Sequence, residues 1–279
     1  MRYRLFDAFG IPVYLDVSLI ILLAMFALGG GELWSGIACA FMLLASITAH
    51  EFGHALTARA FGYRTRDITL SLLGGCASLI ALPRRPSQEF MVAIAGPAVS
   101  LALSVLGAAG IALIAADGGF GGAFGLVLSY FLGSFGIDAQ LGADVVVSRS
   151  SVVAVECFLY LGVMNLMLCF FNMLPGFPMD GGRVFRSALA RFMPRVRATY
   201  IAMCVGRAVA VLIGIRGLWN FTHGGSWGLV MVLIAWMIWR EGYREYLVAR
   251  MENAFDGFRA RVSPPPYGGS GDDCDVSRC

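Results

Sequence analysis

Apolar residues along this chain come in long blocks separated by short polar or glycine-rich breaks. The blocks fall at about 17–30, 34–61, 88–116, 151–174, 199–218 and 226–240. A helical bilayer crossing needs about 20 apolar residues, so the pattern predicts about six transmembrane helices. Residues 117–150 form a long, Gly-rich break that predicts a loop, with a short interfacial helix at 126–135. Residues 67–82, DITLSLLGGCASLIAL, are too Gly-broken for a spanning helix. They predict two short strands around Gly74 and Gly75, a small β-hairpin. Open strand edges are not tolerated against lipid, so a hairpin at membrane depth must line a protein cavity. The fold class that follows is an all-α polytopic membrane protein with a small membrane-associated β-hairpin.

Composition agrees. Hydrophobic residues make up 58% of the 279 positions, charged residues 14%, and the mean hydropathy is +0.74. Ordinary soluble domains carry about 45–50% apolar and about 25% charged residues. A soluble domain, a disordered chain and a disulfide scaffold are all disfavoured. The seven cysteines mostly sit in apolar stretches without a CxxC pair, as buried free thiols do. The first apolar block has no small-residue cleavage site after it and predicts a retained span.

Charge sets the orientation. The net charge of +3 makes no case for a nucleic-acid partner. All 21 basic residues are Arg, and 18 of them lie before the first block, between the second and third, after the fourth and after the sixth. The positive-inside rule places that side in the cytoplasm. The prediction is a multi-pass protein of the cell (inner) membrane with both termini cytoplasmic. Residues 1–240 form the six-helix membrane domain, 241–262 a cytoplasmic helical extension, and 263–279 a Pro/Gly/Asp-rich disordered tail.

Chemistry is concentrated in the second block, which contains His50-Glu51-Phe52-Gly53-His54. On a helix, positions i and i+4 share a face, so both imidazoles can bind one metal ion. Glu51 beside them can act as general base on a water. A carboxylate inside a membrane helix is expensive and marks a working cavity.

A catalytic zinc site takes three protein ligands and keeps one position open. The remaining histidine, His223, lies in an external loop far from the Arg-rich side. Asp180 is better placed: it is the only carboxylate between Glu156 and Glu241, and it follows the broken stretch Asn172 to Met179. The prolines and glycines around it forbid a regular helix. Irregular backbone at membrane depth implies a buried or water-lined site. Asn165 in the fourth block reads as an interhelical hydrogen-bonding residue.

HExxH in one membrane helix, followed by N-x-x-P-x-x-P-x-D-G from Asn172 to Gly181, resembles the site-2 protease family of intramembrane zinc metalloproteases. Gly10-Ile11-Pro12-Val13 before the first block, Gly74-Gly75, and Ala95-Gly96-Pro97 in the third block add weaker similarity over about residues 9–240. The resemblance implies one zinc ion per chain, bound by His50, His54 and Asp180, with Glu51 activating water. It implies that Asn172 contacts substrate or the oxyanion, and that the hairpin at Gly74 and Gly75 pairs with an unwound substrate strand. The implied partners are the lipid bilayer and a single-span membrane protein substrate, cut by regulated intramembrane proteolysis. Ser100 and Asp16 depart from the family's usual residues, and neither is expected to touch the metal site.

Two other readings compete. A membrane metalloprotease with a late Glu as third ligand would draw on Glu241, Glu245 or Glu252, which lie beyond the sixth block. A non-enzymatic membrane transporter would more often spread ionisable residues over several spans. An inactive metal-binding relative would be expected to lack Glu51.

Overall fold

Inside a bilayer a chain must satisfy its backbone hydrogen bonds internally, so apolar blocks become helices. The computed structural model follows that rule. It describes residues 2–29, 33–71, 74–79, 85–115, 119–141, 151–223 and 228–262. Its helices are α1 (Val17–Gly29), α2 (Leu33–Ala60), α3 (Pro86–Ile114), α4 (Gly119–Gly133), α5 (Val152–Asn172), α6 (Asp180–Leu189), α7 (Arg195–Thr222) and α8 (Gly228–Val262). The strands are β1 (Arg2–Ala8), β2 (Ile11–Asp16), β3 (Thr65–Ser71) and β4 (Gly74–Leu79).

Four stretches among the described residues are long and apolar enough to cross a membrane: Gly36–Ala60, Pro86–Ile114, Val152–Asn172 and Arg195–Thr222. The protein is a multi-pass membrane protein. At 13 residues, α1 extends only about 20 Å at 1.5 Å per residue. The sixth block and the residues after it form one unbroken 35-residue helix, α8. Good helix formers with no proline continue through 241–262, so nothing stops the helix at the end of the apolar block. The predicted tail at 263–279 lies outside the described residues.

Two features differ from the sequence-based expectations. First, the long Gly-rich break contains α4, which starts seven residues before the interfacial helix expected at 126–135 and packs into the bundle. Ala123 and Val127 are buried against Ala108 and Ile111 of α3 and Val155 of α5. Glycine makes this possible, because in lipid helices associate by close van der Waals packing and small residues let them approach. A Cβ on Gly162 would lie 2.8 Å from a Val127 methyl, and one on Gly107 would lie 2.7 Å from the backbone of Gly162 and Phe158.

Second, the hairpin belongs to a larger sheet of order β1-β2-β3-β4. Gly74 and Gly75 open β4, opposite Ser71 and Leu70, and do not themselves make the turn. β2 runs parallel to β3, and β1 pairs antiparallel with β2. The β1–β2 link is two residues, Phe9 and Gly10, both with positive φ (53° and 76°). That is the signature of a type I′ turn, which glycine makes readily. One face of β2, formed by Ile11, Val13 and Leu15, packs with Ile68 and Leu70 of β3 onto Leu19, Ile47 and Ala55 of α1 and α2. Asp16 Oδ1 accepts the Ser18 N–H at 2.9 Å and so caps the start of α1. Arg59, near the end of α2, donates to the Phe9 carbonyl at 2.8 Å. The sheet therefore buttresses the helix that carries HExxH.

Asn165 is fully buried and donates to Ser46 Oγ at 2.9 Å, joining α5 to α2 as expected.

The two kinds of glycine predict opposite signs. Gly107→Ala must displace the α5 backbone and should destabilise the detergent-solubilised protein by about 1–3 kcal/mol. Gly121→Ala, whose Cβ would meet nothing within 4 Å, should leave stability unchanged or raise it by up to about 1 kcal/mol. Thermal unfolding of both variants checks the pair.

Candidate metal centre

His50 and His54 sit one turn apart on the buried face of α2, which also carries Ser46, Ile47 and Ala58. The i, i+4 spacing aims both rings the same way. Their Nε2 atoms are 3.2 Å apart. Asp180, the first residue of α6, brings Oδ2 to 3.1 Å from His50 Nε2 and 3.0 Å from His54 Nε2. All three residues are at most 9% exposed.

The outer ring nitrogens define the chemistry of the inner ones. His54 Nδ1 lies 2.7 Å from the Val92 carbonyl oxygen, which can only accept, so Nδ1 carries a proton and Nε2 is the nitrogen turned toward Asp180. His50 Nδ1 is 2.9 Å from Ser100 Oγ. Imidazole nitrogens and a carboxylate converging at about 3 Å need a proton or a metal ion among them, since their lone pairs alone would repel. Ligands on a tetrahedral ion at about 2.0–2.1 Å lie about 3.3 Å from each other, close to the separations found. His, His and Asp suit zinc, and the outer partners are the kind that orient zinc-bound imidazoles.

Space is reserved at the same point. A Cβ on Gly96 would fall 2.2 Å from His54 Nε2 and 2.6 Å from His50 Nε2. Only glycine fits there without displacing the rings. Gly53 lets α2 approach α3, since its Cβ would meet the Ala95 carbonyl oxygen at 2.9 Å. Pro97 inside α3 has no backbone N–H to give the Ala93 carbonyl, next to Val92, whose own carbonyl meets His54.

Asp180 reaches the site by way of the irregular residues 173–179. That stretch packs tightly on α6 and α7: a Cβ on Gly181 would lie 2.3 Å from the Leu174 carbonyl oxygen, and one on Gly206 would lie 2.9 Å from Gly176 Cα. The N-terminal position on α6 also favours a carboxylate through the helix dipole.

Glu51 is 5% exposed and lies within electrostatic range of His50, His54, Asp180 and Arg183. Asn172 ends α5 half-buried, and its Nδ2 donates back to Leu168 O at 2.9 Å, not to the His/Asp cluster. β4, with Gly74 and Gly75, is an edge strand of the sheet and packs beside α2. His223 is not part of the cluster: it is exposed, stacked on Trp219 with ring centroids 4.3 Å apart. Glu245 pairs with Arg186 instead of joining the cluster.

Ser100 corrects the sequence reading, which kept it away from the metal site. It lies four residues after Gly96 on the same face of α3, the spacing that could have signalled it. Val92 carried no side-chain signal, because it acts through its carbonyl.

A bundle of apolar helices, a small sheet and a buried His/His/Asp cluster define a membrane protein able to hold a metal ion. The chain belongs to peptidase family M50, whose sequence model matches residues 38–213 and so takes in both motifs. A Synechocystis sp. protein that carries a zinc metalloprotease name is 31% identical over 94% of this chain and 64% of its own length. A Mycobacterium tuberculosis protein named in the same way is 35% identical over 79% of this chain and 49% of its own. The site-2 protease from Methanocaldococcus jannaschii matches in fold, with a TM-score of 0.58, 23% identity, and coverage of 88% of this chain and 95% of that one. This chain thus spans about half to two thirds of the curated relatives' length. The resemblance to the site-2 protease family is borne out.

Ser100→Ala should weaken zinc binding about tenfold by freeing the His50 ring. Gly96→Ala should abolish zinc binding at micromolar metal. Zinc titration against a chelator measures both.

Proposed function

We propose that this protein is an intramembrane zinc metalloprotease that hydrolyses peptide bonds within or near the transmembrane segments of single-span substrates. The observation that carries this reading is the convergence of His50 Nε2, His54 Nε2 and Asp180 Oδ2 over Gly96, with Glu51 buried beside them. His50, His54 and Asp180 hold one zinc ion per chain. When bound, zinc supplies a Lewis acid that lowers the pKa of water to about 7 and polarises the scissile carbonyl.

The chain's own residues do the rest. Glu51 takes the proton of the attacking water and returns it to the leaving amine. Ser100 and the Val92 carbonyl hold the two imidazoles in the tautomer that leaves Nε2 unprotonated. The Asn172 amide turns from Leu168 O toward the oxyanion as charge develops there. A helical substrate hides its carbonyls in hydrogen bonds and must unwind before it is cut. The outer edge of β4 offers backbone groups that can pair with the unwound strand. The 1–240 core is the protease domain, 241–262 is its cytoplasmic extension, and the Arg distribution supports a cell-membrane protein with both termini in the cytoplasm.

The test is cleavage of a single-span reporter in liposomes by the wild type and by Glu51→Gln, with zinc measured in both. The variant should retain zinc and lose at least about 10²–10⁴-fold in rate. Equal rates would remove Glu51 from the mechanism, and absence of zinc from both would remove the metal site. Gly75→Pro, which takes a backbone donor from β4, should slow cleavage while zinc stays bound.

A further inference from the structure

Arg186 is 3% exposed, although its helix, α6, is only ten residues long. Its Nε and one Nη contact Glu89 Oε1, with the Nε bond at 2.9 Å. The other Nη donates to Glu245 Oε2 at 3.1 Å. Arg195 Nη2 lies 3.6 Å from Glu89 Oε2. The guanidinium also sits 5.0 Å from the ring centre of Phe177, itself 1% exposed. Two arginines and two carboxylates thus form a formally neutral quartet that joins α3, α6, α7 and α8, with the Arg186–Glu89 pair buried and the Glu245 and Arg195 side chains 27% and 28% exposed.

The placement of the quartet ties both halves of the metal cluster together. Glu89 is three residues before Val92, whose carbonyl orients His54. Arg186 is six residues after Asp180 in the same short helix. Phe177 belongs to the irregular stretch that delivers Asp180. A ten-residue helix has little stability of its own, whereas a metal site tolerates ligand displacements of only about 0.2 Å. Buried ion pairs are weak sources of stability but well suited to fixing register. The guanidinium fork can hold two carboxylates at once, which a lysine ammonium does less well.

We infer that Arg186 is a positioning residue for the metal site: through Glu89 it locks Asp180 against the α3 turn that orients His54, and through Glu245 it couples the position of α8 to that geometry. This inference rests on the proposed zinc site. Through Glu245, any shift of α8 is passed to Asp180.

The experiment uses the full chain in detergent with Glu245→Gln, Arg186→Lys and the double variant Arg186→Met/Glu89→Gln. The last replaces the central pair without leaving Glu89 as an unpaired charge. Zinc affinity by chelator competition and the electronic spectrum of the Co²⁺-substituted protein are read beside thermal unfolding of the metal-free protein. The double variant should bind zinc about 10–100-fold more weakly and shift the Co²⁺ bands. Glu245→Gln should lose up to about tenfold, with Arg186→Lys between the two. A purely structural role would lower the unfolding temperature without moving the Co²⁺ bands. Wild-type affinity and spectrum in folded Glu245→Gln and Arg186→Lys proteins would overturn the inference while leaving the zinc site intact. A wild type that takes up neither Zn²⁺ nor Co²⁺ would remove the zinc reading itself, and the inference with it.

Discussion

Three lone-pair donors brought to about 3 Å from one another in an apolar bundle are the constraint on which this structure turns. Each donor must be aimed inward, and every other polar atom of its side chain must be satisfied elsewhere, because an unpaired polar group in such surroundings costs about 1–3 kcal/mol or more. The Val92 carbonyl and Ser100 Oγ meet the outer nitrogens of His54 and His50. Both partners come from α3, on either side of Gly96, so one helix orients both rings and also leaves room at their inner nitrogens. The close approach of α2 and α3 at Gly53 makes those contacts possible. Much of the middle of the fold follows from holding two imidazoles still.

Packing in the rest of the bundle uses a different currency from a soluble core. Lipid is as apolar as leucine, so burying large side chains between helices gains little, and close backbone approach gains more. That explains why glycines such as Gly107, Gly110 and Gly162 mark close contacts between α3, α4 and α5, while large apolar side chains such as Leu113 and Leu212 face outward at 87% and 68% exposure. The sheet is the exception. Its β2 and β3 side chains build a cluster of alternating buried residues under α1 and α2, much as in a soluble domain. Such a platform keeps the backbone of β4 in register beside α2, the geometry that strand addition by an extended peptide requires.

The parts legible in the sequence were those with a strong local period or a rigid spacing. HExxH is legible because four residues bring two rings onto one face. Asp180 is legible because no other carboxylate lies between Glu156 and Glu241. Apolar length marked α2, α3, α5 and α7 to within a few residues. What escaped notice depends on contacts distant in sequence or on backbone atoms. β1 and β2 are only seven and six residues long, and β2 pairs with β3, about fifty residues further along the chain. α4 was legible only in part, as an interfacial helix at 126–135 in a Gly-rich loop, and its earlier start and its packing depend on the surface that α3 and α5 supply. Ser100 looked like a neutral departure from the family's pattern because one sequence does not reveal that its hydroxyl meets His50. Arg186 entered the sequence reading only as one of the 18 arginines that set the orientation, and the fold buries it.

The two halves of the metal cluster are held by unequal means. His50 and His54 share a 28-residue helix, and the rigid geometry of that helix sets their separation. Asp180 has no such scaffold. It stands at the start of a short helix, behind seven irregular residues, and its position depends on Gly176 meeting Gly206, on Phe177 being buried, and on the ions around Arg186. A fully apolar substitute for those ions could pack as well, since buried pairs seldom outperform hydrophobic replacements in stability. It would leave α6 freer to slide, however, because apolar contacts are non-directional whereas a forked guanidinium admits few registers. The precision of the cluster is therefore limited by its third residue, Asp180. The quartet around Arg186 stands where the fold has least covalent control over the geometry.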